Sequence, residues 1–294
     1  TASRQDIGHE ERGRFGEHPV NLVVVNADQL PAWAATAGAG VTADRYTIGV
    51  WFWELAHLPE YFAHSLTLVD EVWVTSDFLR RALVAVTDTP VYVLPLPVAA
   101  PTPSGSFERG RYGIPDGPMF LFMFDYFSSV DRKNPLGLID AFCAAFADGE
   151  GPTLVIKSIN GDGARSDRER VRFRARSRSD IVLIEDYLSP EENAALLAAA
   201  DCYVSLHRSE GYGLTIAESM ALGVPVIATA FSGNLEFCTA DDSILIGCTM
   251  TPVPVGAGPY PAGATWAEPD LAQAAAAMRR VVAEPEWAAD LGRR

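Results

Sequence analysis

The chain has 294 residues, of which 48% are hydrophobic and 21% are charged, with 24 glycines and 20 prolines. So apolar a chain can bury enough surface to offset the entropy of ordering, which excludes an intrinsically disordered protein. The net charge of −15 argues against sequence-independent nucleic-acid binding, in which Lys and Arg displace the counterions of phosphates. No apolar run approaches the roughly 18 residues of a membrane-spanning helix. The opening stretch TASRQDIGHEERGRF also lacks the apolar centre of a signal peptide.

In the first part of the chain, short apolar runs alternate with helical segments, as in βαβ units with a parallel sheet. A helix is predicted over Ser76–Val86, with Ser76 or Asp77 as its N-cap. The proline-rich stretch LPLPVAAPTPSG at 94–105 is incompatible with a helix and is predicted to be a linker. The strands predicted here are Val20–Val25, Tyr46–Phe52, Glu71–Thr75 and Val91–Leu94.

Beyond the linker the alternation is more regular, and six strands predict a complete doubly wound domain. The predicted strands are Phe120–Phe124, Thr153–Lys157, Ile181–Ile184, Cys202–Leu206, Pro225–Ala228 and Ile244–Leu245. The predicted helices are Pro135–Phe146, Ser166–Arg176, Pro190–Ala199, Leu214–Ala221 and Leu271–Val282. The sequence therefore predicts an α/β protein with two Rossmann-like domains, residues 1–112 and 113–294, of which the first is short.

Two composition features bear on environment and partners. The four cysteines (Cys143, Cys202, Cys238 and Cys248) lack CxxC spacing, so we predict buried thiols rather than disulfides or metal ligands, in a reducing cytoplasm. Eight basic residues lie between Lys157 and Arg178, with arginines at alternate positions from Arg168. On a helix they form two rows, which favours a solvated helix face; the alternative is a patch for an anionic substrate or a lipid surface.

The turn within 205–229, SLHRSEGYGLTIAESMALGVPVIAT, is the most informative for function. A strand ends, a loop holds Glu210-Gly211-Tyr212-Gly213, and a helix begins near Leu214. Glycines allow close approach of the backbone to a ligand, and a helix N-terminus offers unpaired N–H groups to a phosphate. The carboxylates of Glu210 and Glu218 suggest hydroxyl partners, such as a sugar or a ribose. Taken alone, this segment fits a purely structural turn equally well.

The spacing of Glu210 and Glu218 resembles the E-x7-E motif of the "group 1" family of retaining nucleotide-sugar glycosyltransferases, which have the GT-B fold of two Rossmann-like domains facing a cleft. Three further segments resemble that family, so that the resemblance covers nearly the whole chain. They are FDYFSSVDRKNPLGLIDAF (124–142), SGN (232–234), and IGVWFWELAHLPEYF (48–62) with VDEVWVTSDFLRRAL (69–83). The last pair resembles the acceptor-side domain, and residues 113–294 resemble the donor-binding domain.

The resemblance implies that Glu210 contacts hydroxyls of the transferred sugar, that Glu218 binds the ribose, and that Arg132 and Lys133 neutralise the donor diphosphate. Many members carry an Arg five residues before the loop Lys, where this chain has Ser128, so Arg132 would supply that second charge. Backbone N–H groups near the diphosphate or sugar are implied at Gly211, Tyr212, Gly213 and Leu214. The nucleobase is implied to lie by Tyr187 and Leu188.

Other residues near these motifs are weaker candidates. His207 and Arg208 precede Glu210 and either line the donor pocket or serve the structure. Glu54 lies about where relatives place a His–Asp pair, and it is either an acceptor contact or a structural carboxylate.

No metal or other cofactor is expected, because the family can act without one and the chain has no Asp-x-Asp triplet. Arg132, Lys133 and the helix N-terminus would stabilise the charge that builds on the leaving diphosphate.

These features predict a metal-independent, retaining transferase that moves a hexose from a nucleotide-diphosphate sugar to a hydroxyl acceptor. The expected acceptor is a glycan or glycolipid of bacterial polysaccharide or glycoconjugate synthesis, with no nucleic-acid partner and with contact at the membrane periphery of the cytoplasm. The alternatives are a sugar-nucleotide epimerase of the same fold and a non-catalytic nucleotide-sugar-binding module. Nothing before Pro19-Val20 matches the first strand and glycine-rich loop of relatives, so the first domain is expected to lack that unit.

Overall fold

The computed structural model describes residues 18–38, 40–103, 105–261 and 263–294. Within these residues the chain forms two parallel sheets, which confirms the α/β architecture. The first sheet has the order β1-β2-β3-β4. Its strands are β1 (Val20–Val23), β2 (Tyr46–Trp51), β3 (Glu71–Val74) and β4 (Val91–Val93). The expected loss of an earlier strand and glycine-rich loop falls on residues 1–17, which lie outside the described residues.

Three helices accompany this sheet in the described ranges, and we call sheet and helices the first lobe. They are α1 (Leu30–Ala37), α2 (Phe62–Leu66) and α3 (Asp77–Val84). As predicted, Ser76 caps α3, its hydroxyl accepting a hydrogen bond from the Leu79 amide at 3.3 Å. The sequence did not predict α1 or α2; neither has a side-chain N-cap.

The second sheet has six strands in the order β10-β9-β8-β5-β6-β7, with all neighbours parallel. The strands are β5 (Met119–Asp125), β6 (Thr153–Ile159), β7 (Ile181–Ile184), β8 (Cys202–Ser205), β9 (Val226–Thr229) and β10 (Ile244–Ile246). The direction of winding reverses between β5 and β8. In open parallel sheets the crevice at the carboxyl ends of the two strands flanking such a reversal is where ligands bind.

The helices that cover this sheet agree with the sequence prediction, except for two short ones. They are α4 (Val130–Lys133), α5 (Pro135–Ala145), α6 (Arg165–Ala175), α7 (Pro190–Ala198), α8 (Leu214–Ala221), α9 (Leu271–Ala283) and α10 (Pro285–Gly292). Only α4 and α10 were not predicted. We call the second sheet and these helices the second lobe. No helix in the described ranges is both long enough and apolar enough to cross a bilayer.

An antiparallel hairpin, β11 (Cys248–Pro252) paired with β12 (Thr265–Pro269), leaves the second lobe between β10 and α9. Trp266 of β12 and Val253 just after β11 are buried in the hydrophobic core of the first lobe. The hairpin was not predicted from the sequence, and it joins the two lobes through apolar packing.

The structure refines the predictions about cysteines and arginines. All four thiols are free; Cys202 and Cys238 are buried as predicted, whereas Cys143 and Cys248 are only half-buried, because each lies near the edge of its element. The arginine row follows α6, and most of it is neutralised. Ion pairs with Asp or Glu are formed by Arg168, Arg170, Arg172, Arg174 and Arg178. These pairs favour the solvated helix face over a patch for anions.

Candidate active site

A cavity of about 470 Å³ opens between the two lobes, at the carboxyl ends of β5 and β8 where the winding of the second sheet reverses. The first lobe and the linker contribute Phe52, Glu54 and Leu96 to its wall. The second lobe contributes residues from the carboxyl-terminal parts of β5 and β6 and from the segments that follow β5, β7 and β8. The cavity thus lies in the crevice that the topology designates for a ligand.

Glu210 lies 6% exposed in this cavity, and its backbone is held by the loop after β9. The Glu210 amide donates to the Ser232 hydroxyl at 2.8 Å, and the Glu210 carbonyl accepts from the Gly233 amide at 2.9 Å. A Cβ on Gly233 would lie 2.1 Å from the carbonyl oxygen of Gly211, so only glycine allows this approach. The segment Ser232-Gly233-Asn234, singled out in the sequence, therefore positions Glu210.

The Glu210 carboxylate lies between the two cations of α4. Lys133 Nζ is 2.5 Å from one carboxylate oxygen, and Arg132 Nη1 is 3.1 Å from the other. Burial alone would raise the pKa of Glu210, but the charges of Lys133 and Arg132 outweigh it and hold that pKa at about 2. Glu210 is therefore an ionised carboxylate at neutral pH, able only to accept hydrogen bonds.

Arg132 also joins the two lobes electrostatically. It is 3% exposed, and its second guanidinium nitrogen lies 3.7 Å from Glu54 of the first lobe. Burial works against its charge, but Glu210 and Glu54 raise the pKa of Arg132 above its ordinary value. For Lys133, burial is the larger effect and lowers the pKa, although Glu210 counteracts it. Ser128, at the position where the resemblance implies an arginine, lines the same cavity as the buried cation of Arg132.

The start of α8 lines the same cavity as this cluster. Gly213 precedes the helix with a φ of +95°, a left-handed conformation that glycine adopts without strain. Gly211, Tyr212, Gly213 and Leu214, all singled out in the sequence, line the cavity together with Thr215. The N–H groups of a first helical turn have no partners within the helix, so this end of α8 presents a partial positive charge to the cavity.

Of the donor-side candidates Tyr187, Leu188 and Glu218, the structure places the first two on the cavity wall and the third away from it. Tyr187 and Leu188 line the cavity beyond the end of β7. Glu218 lies one helical turn inside α8, half-buried, and is not on the cavity wall. Its carboxylate has no hydrogen bond or ion pair within the described ranges, and burial raises the pKa of Glu218.

His207 lies behind the wall rather than on it. It is fully buried, its Nδ1 is 2.9 Å from the Ser205 hydroxyl, and its Nε2 is 3.2 Å from Asn234 Oδ1. Burial lowers the pKa of His207, so the ring is neutral. The structure thus gives His207 a structural position, because it holds Asn234 and the loop that positions Glu210. Arg208 likewise points away, toward Glu268 at 2.6 Å.

Three polar residues of this region were not assigned to the site from the sequence. Tyr260, in the loop of the hairpin, directs its hydroxyl to Glu54 at 3.4 Å. Lys157 of β6 and Asn193 of α7 line the cavity near Tyr187. No sequence signal pointed to Tyr260 or Asn193, whereas Lys157 had been grouped with the arginine row. Among the described residues, no group of three or more His, Cys, Asp or Glu side chains is arranged to hold a metal ion.

Comparison with known families bears directly on this arrangement. Residues 106–251, which include α4, Glu210 and the start of α8, match the family described as glycosyl transferases group 1. Residues 106–251 belong to this family. The match confirms the resemblance that the E-x7-E spacing had indicated.

Two curated proteins are similar to part of the chain. Alpha-monoglucosyldiacylglycerol synthase of Streptococcus pneumoniae is 32% identical over 120 residues, which are 41% of this chain and 26% of that protein. The O-antigen biosynthesis glycosyltransferase WclY of Escherichia coli is 30% identical over 103 residues, which are 32% of this chain and 29% of that protein. The chain thus covers less than a third of either relative.

Solved structures match over nearly the whole chain. Anabaena Alr3699/HepE, in complex with UDP and glucose, has a TM-score of 0.70 at 14% identity and matches 94% of this chain and 71% of that one. Sucrose-phosphate synthase from Thermosynechococcus elongatus has a TM-score of 0.65 at 18% identity and matches 94% of this chain and 67% of that one. These likenesses confirm the predicted GT-B fold.

Proposed function

We propose that the chain transfers a hexose from a nucleoside-diphosphate sugar to a hydroxyl acceptor, with retention of anomeric configuration. The observation that carries this proposal is the position of Glu210, a buried carboxylate between Lys133 and Arg132 that faces the start of α8. Family membership supports transfer of a glycosyl group; retention and the hexose rest on the resemblance of the motifs.

The cluster suits a reaction in which negative charge moves onto a leaving diphosphate. The N–H groups at the start of α8 are held by the helix backbone, so they would stabilise that charge without reorganisation, whereas Lys133 would exchange Glu210 for the diphosphate. Glu210, which only accepts hydrogen bonds, is suited to hydroxyl groups of the sugar. Glu210 also neutralises the two cations, so donor binding would exchange these partners for groups of the donor.

Charge balance supports a metal-independent reaction as part of the proposal. Arg132 and Lys133 bring two positive charges to the cavity, and the start of α8 adds the partial positive charge of a helix N-terminus. A donor whose hydroxyl groups engage Glu210 would free the charge of Lys133, which Glu210 otherwise offsets, for the diphosphate. These groups, together with the lack of an Asp-x-Asp triplet, support a diphosphate site that needs no divalent cation. We expect transfer to survive excess chelator. Loss of activity with chelator, restored by Mn²⁺, would contradict this part.

The acceptor is proposed to bind against the first lobe, where Phe52 and Glu54 line the cavity and Glu54 lies 3.7 Å from Arg132. One relative is named for synthesis of a glucosyl-diacylglycerol and another for O-antigen biosynthesis. These names support a glycolipid or glycan acceptor and a role in polysaccharide or glycoconjugate synthesis. Positioning the acceptor hydroxyl against the sugar carbon would supply several kcal/mol of the rate enhancement.

A panel of nucleotide sugars tests the proposal in two steps. A donor present at about 1,000 times its Kd should stabilise the fold by about 4 kcal/mol, a shift that thermal unfolding detects readily. The donor that shifts the midpoint is then incubated with glycan and glycolipid acceptors, and the anomeric configuration of the product is read by NMR. No shift with any nucleotide sugar would contradict donor binding, and an inverted product would contradict retention. An epimerised sugar formed without acceptor would identify an epimerase instead, whereas binding without any reaction would indicate a binding module.

A further inference from the structure

Lys157 stands apart from the basic residues with which the sequence groups it. The chain has two lysines, Lys133 and Lys157, and both line the cavity between the lobes. Lys133 is paired with Glu210, whereas Lys157 is 2% exposed and forms no ion pair with a carboxylate in the described part of the chain. An ammonium group carries three N–H donors, and Lys157 uses one, toward the carbonyl of Ser158 at 3.1 Å. Two donors of a buried cation are left for a ligand.

An unused acceptor lies on the same side of the cavity. Asn193, in the first turn of α7, donates from Nδ2 to the carbonyl of Leu188 at 3.3 Å. Its Oδ1 is buried and has no hydrogen-bond donor among the described residues. Burying a donor or an acceptor without a partner costs about 1–3 kcal/mol. Both residues line the cavity, so one ligand that reaches Lys157 Nζ and Asn193 Oδ1 would satisfy both groups.

The sheet topology separates this pair from the diphosphate cluster. Glu210 follows β8, whereas Lys157 is on β6, and β5 lies between those strands. Two strand spacings are roughly 10 Å. Lys157 is in register with Ile184 of β7, the strand that leads to Tyr187 and Leu188. Lys157 and Asn193 are thus placed where an extended donor, anchored by its diphosphate at Lys133, would carry its nucleobase.

We propose that Lys157 and Asn193 select the nucleobase of the donor, Lys157 donating to a ring carbonyl and Asn193 Oδ1 accepting from the neighbouring ring N–H. This inference rests on the proposed function and adds to it the class of base. Uracil, thymine and guanine present a carbonyl beside a ring N–H, whereas adenine and cytosine present an amino group beside an unprotonated ring nitrogen. The pair therefore favours a uridine, thymidine or guanosine donor over an adenosine or cytidine donor.

The charge state of Lys157 fits this role. Burial lowers the pKa of Lys157 to about 8, while the carboxylates of Asp186 and Asp125 counteract the shift. The amine of Lys157 is therefore protonated at neutral pH and loses its proton at a pH slightly above neutral. Without a ligand the buried cation is unfavourable, so Lys157→Met, which keeps the shape of the side chain, should raise the thermal midpoint of the ligand-free protein.

Calorimetry with the full chain and five nucleoside diphosphates tests the proposal. We expect UDP, dTDP and GDP to bind at least tenfold tighter than ADP and CDP. Lys157→Met and Asn193→Leu should each weaken the first three about tenfold and leave ADP and CDP within twofold. Arg165→Met, which removes an exposed charge away from the cavity, is the matched control and should change none of the five affinities. As the pH rises from 6.5 to 8.5, the preference for UDP, dTDP and GDP over ADP and CDP should fall in the wild type and stay constant in Lys157→Met.

The outcomes separate this proposal from the function on which it rests. Failure of the wild type to bind any nucleoside diphosphate would overturn the proposed function itself. Binding of all five with equal affinity, or an unchanged preference in Lys157→Met, would overturn base selection alone. An equal loss for all five in Lys157→Met, with uridine binding unaffected, would show that Lys157 contacts a phosphate instead. A raised thermal midpoint of that variant would show that the fold is intact.

Discussion

The Ser76 hydroxyl donates a hydrogen bond to the carbonyl of Gly211 at 2.9 Å, although the two residues are 135 positions apart. Ser76 is the N-cap of α3 in the first lobe, and Gly211 lies in the glycine loop of the second lobe. One buried side chain thus caps a helix and fixes the loop that faces the cavity. The orientation of the two lobes and the shape of the site are therefore coupled at this position.

Ser76→Ala should lower the free energy of unfolding by about 1–3 kcal/mol, because it removes a helix cap and leaves a buried carbonyl without its donor. Chemical denaturation measures this loss. Ser106→Ala, at an exposed serine, is the control and should change stability by less than about 0.5 kcal/mol. A variant as stable as the wild type would show that the two hydrogen bonds of Ser76 contribute nothing to the free energy of unfolding.

Glu210→Gln should lower the transfer rate about ten- to a hundredfold, because it removes a charge-assisted hydrogen bond to the sugar. The sequence suggests a residue placed for hydroxyl groups rather than for packing. The structure shows that Glu210 also neutralises Lys133 and Arg132. Unpairing a buried ion pair costs about 3–5 kcal/mol, so the variant should also be less stable in urea at neutral pH.

The pH dependence of stability provides a second readout for Glu210. Its pKa falls from the ordinary 4.5 to about 2 in the folded chain, so its stabilising contribution is complete above pH 4.5 and is lost as the pH falls toward 2. The stability of Glu210→Gln should change less over that range. Glu191→Gln, at an exposed position on α7, should follow the wild-type profile. Identical profiles for wild type and Glu210→Gln would contradict the assigned pairing.

Gly233→Ala should abolish transfer and lower the thermal midpoint, because the added Cβ would lie 2.1 Å from a backbone oxygen that cannot retreat without moving Gly211. Gly110→Ala is the matched control, since a Cβ there meets nothing within 4 Å. Full activity of Gly233→Ala would show that the loop holding Glu210 can shift without cost.

Lys133→Met should weaken binding of a nucleoside diphosphate about tenfold or more and leave the nucleoside unaffected, since the proposed partner of Lys133 is phosphate. Calorimetry at low and high salt checks this, because salt should reproduce part of the loss in the wild type through screening. Similar losses for nucleoside and diphosphate would show that Lys133 acts through the fold.

Much of the second sheet could be predicted because buried parallel strands are continuous apolar runs bounded by turn residues. The predicted bounds of one strand and one helix agree with the structure, at Ile181–Ile184 and Leu214–Ala221. The hairpin was missed because the segment TPVPVGAGPYPAG has the composition of a loop, and its partners belong to the other lobe. Its strands are stabilised by burial of Trp266 in a core that no local pattern reveals.

The site was partly predictable for a similar reason. The residues on either side of Glu210 belong to one strand-turn-helix unit, so their spacing along the sequence already indicates that they lie close together. The approach of Glu54 to Arg132, and the buried positions of Lys157 and Asn193, depend on how lobes and strands pack. A lysine inside an apolar strand, such as Lys157 in LVIKSI, was the one available signal, since burying an unpaired charge is costly.

The hairpin has a consequence for any attempt to divide the molecule. It belongs by sequence to residues 113–294, but Trp266 and Val253 are buried against the first lobe, so a fragment cut at the linker would expose this apolar surface and tend to aggregate. Opening of the cleft faces the same constraint. Either the hairpin moves with the first lobe, bending where β10 meets β11 and where β12 meets α9, or its aromatic contacts break. The candidate hinges are therefore the linker at 94–105, the junction of β10 with β11 and the junction of β12 with α9. Disulfides formed by cysteine pairs placed across each junction would show which of them bend.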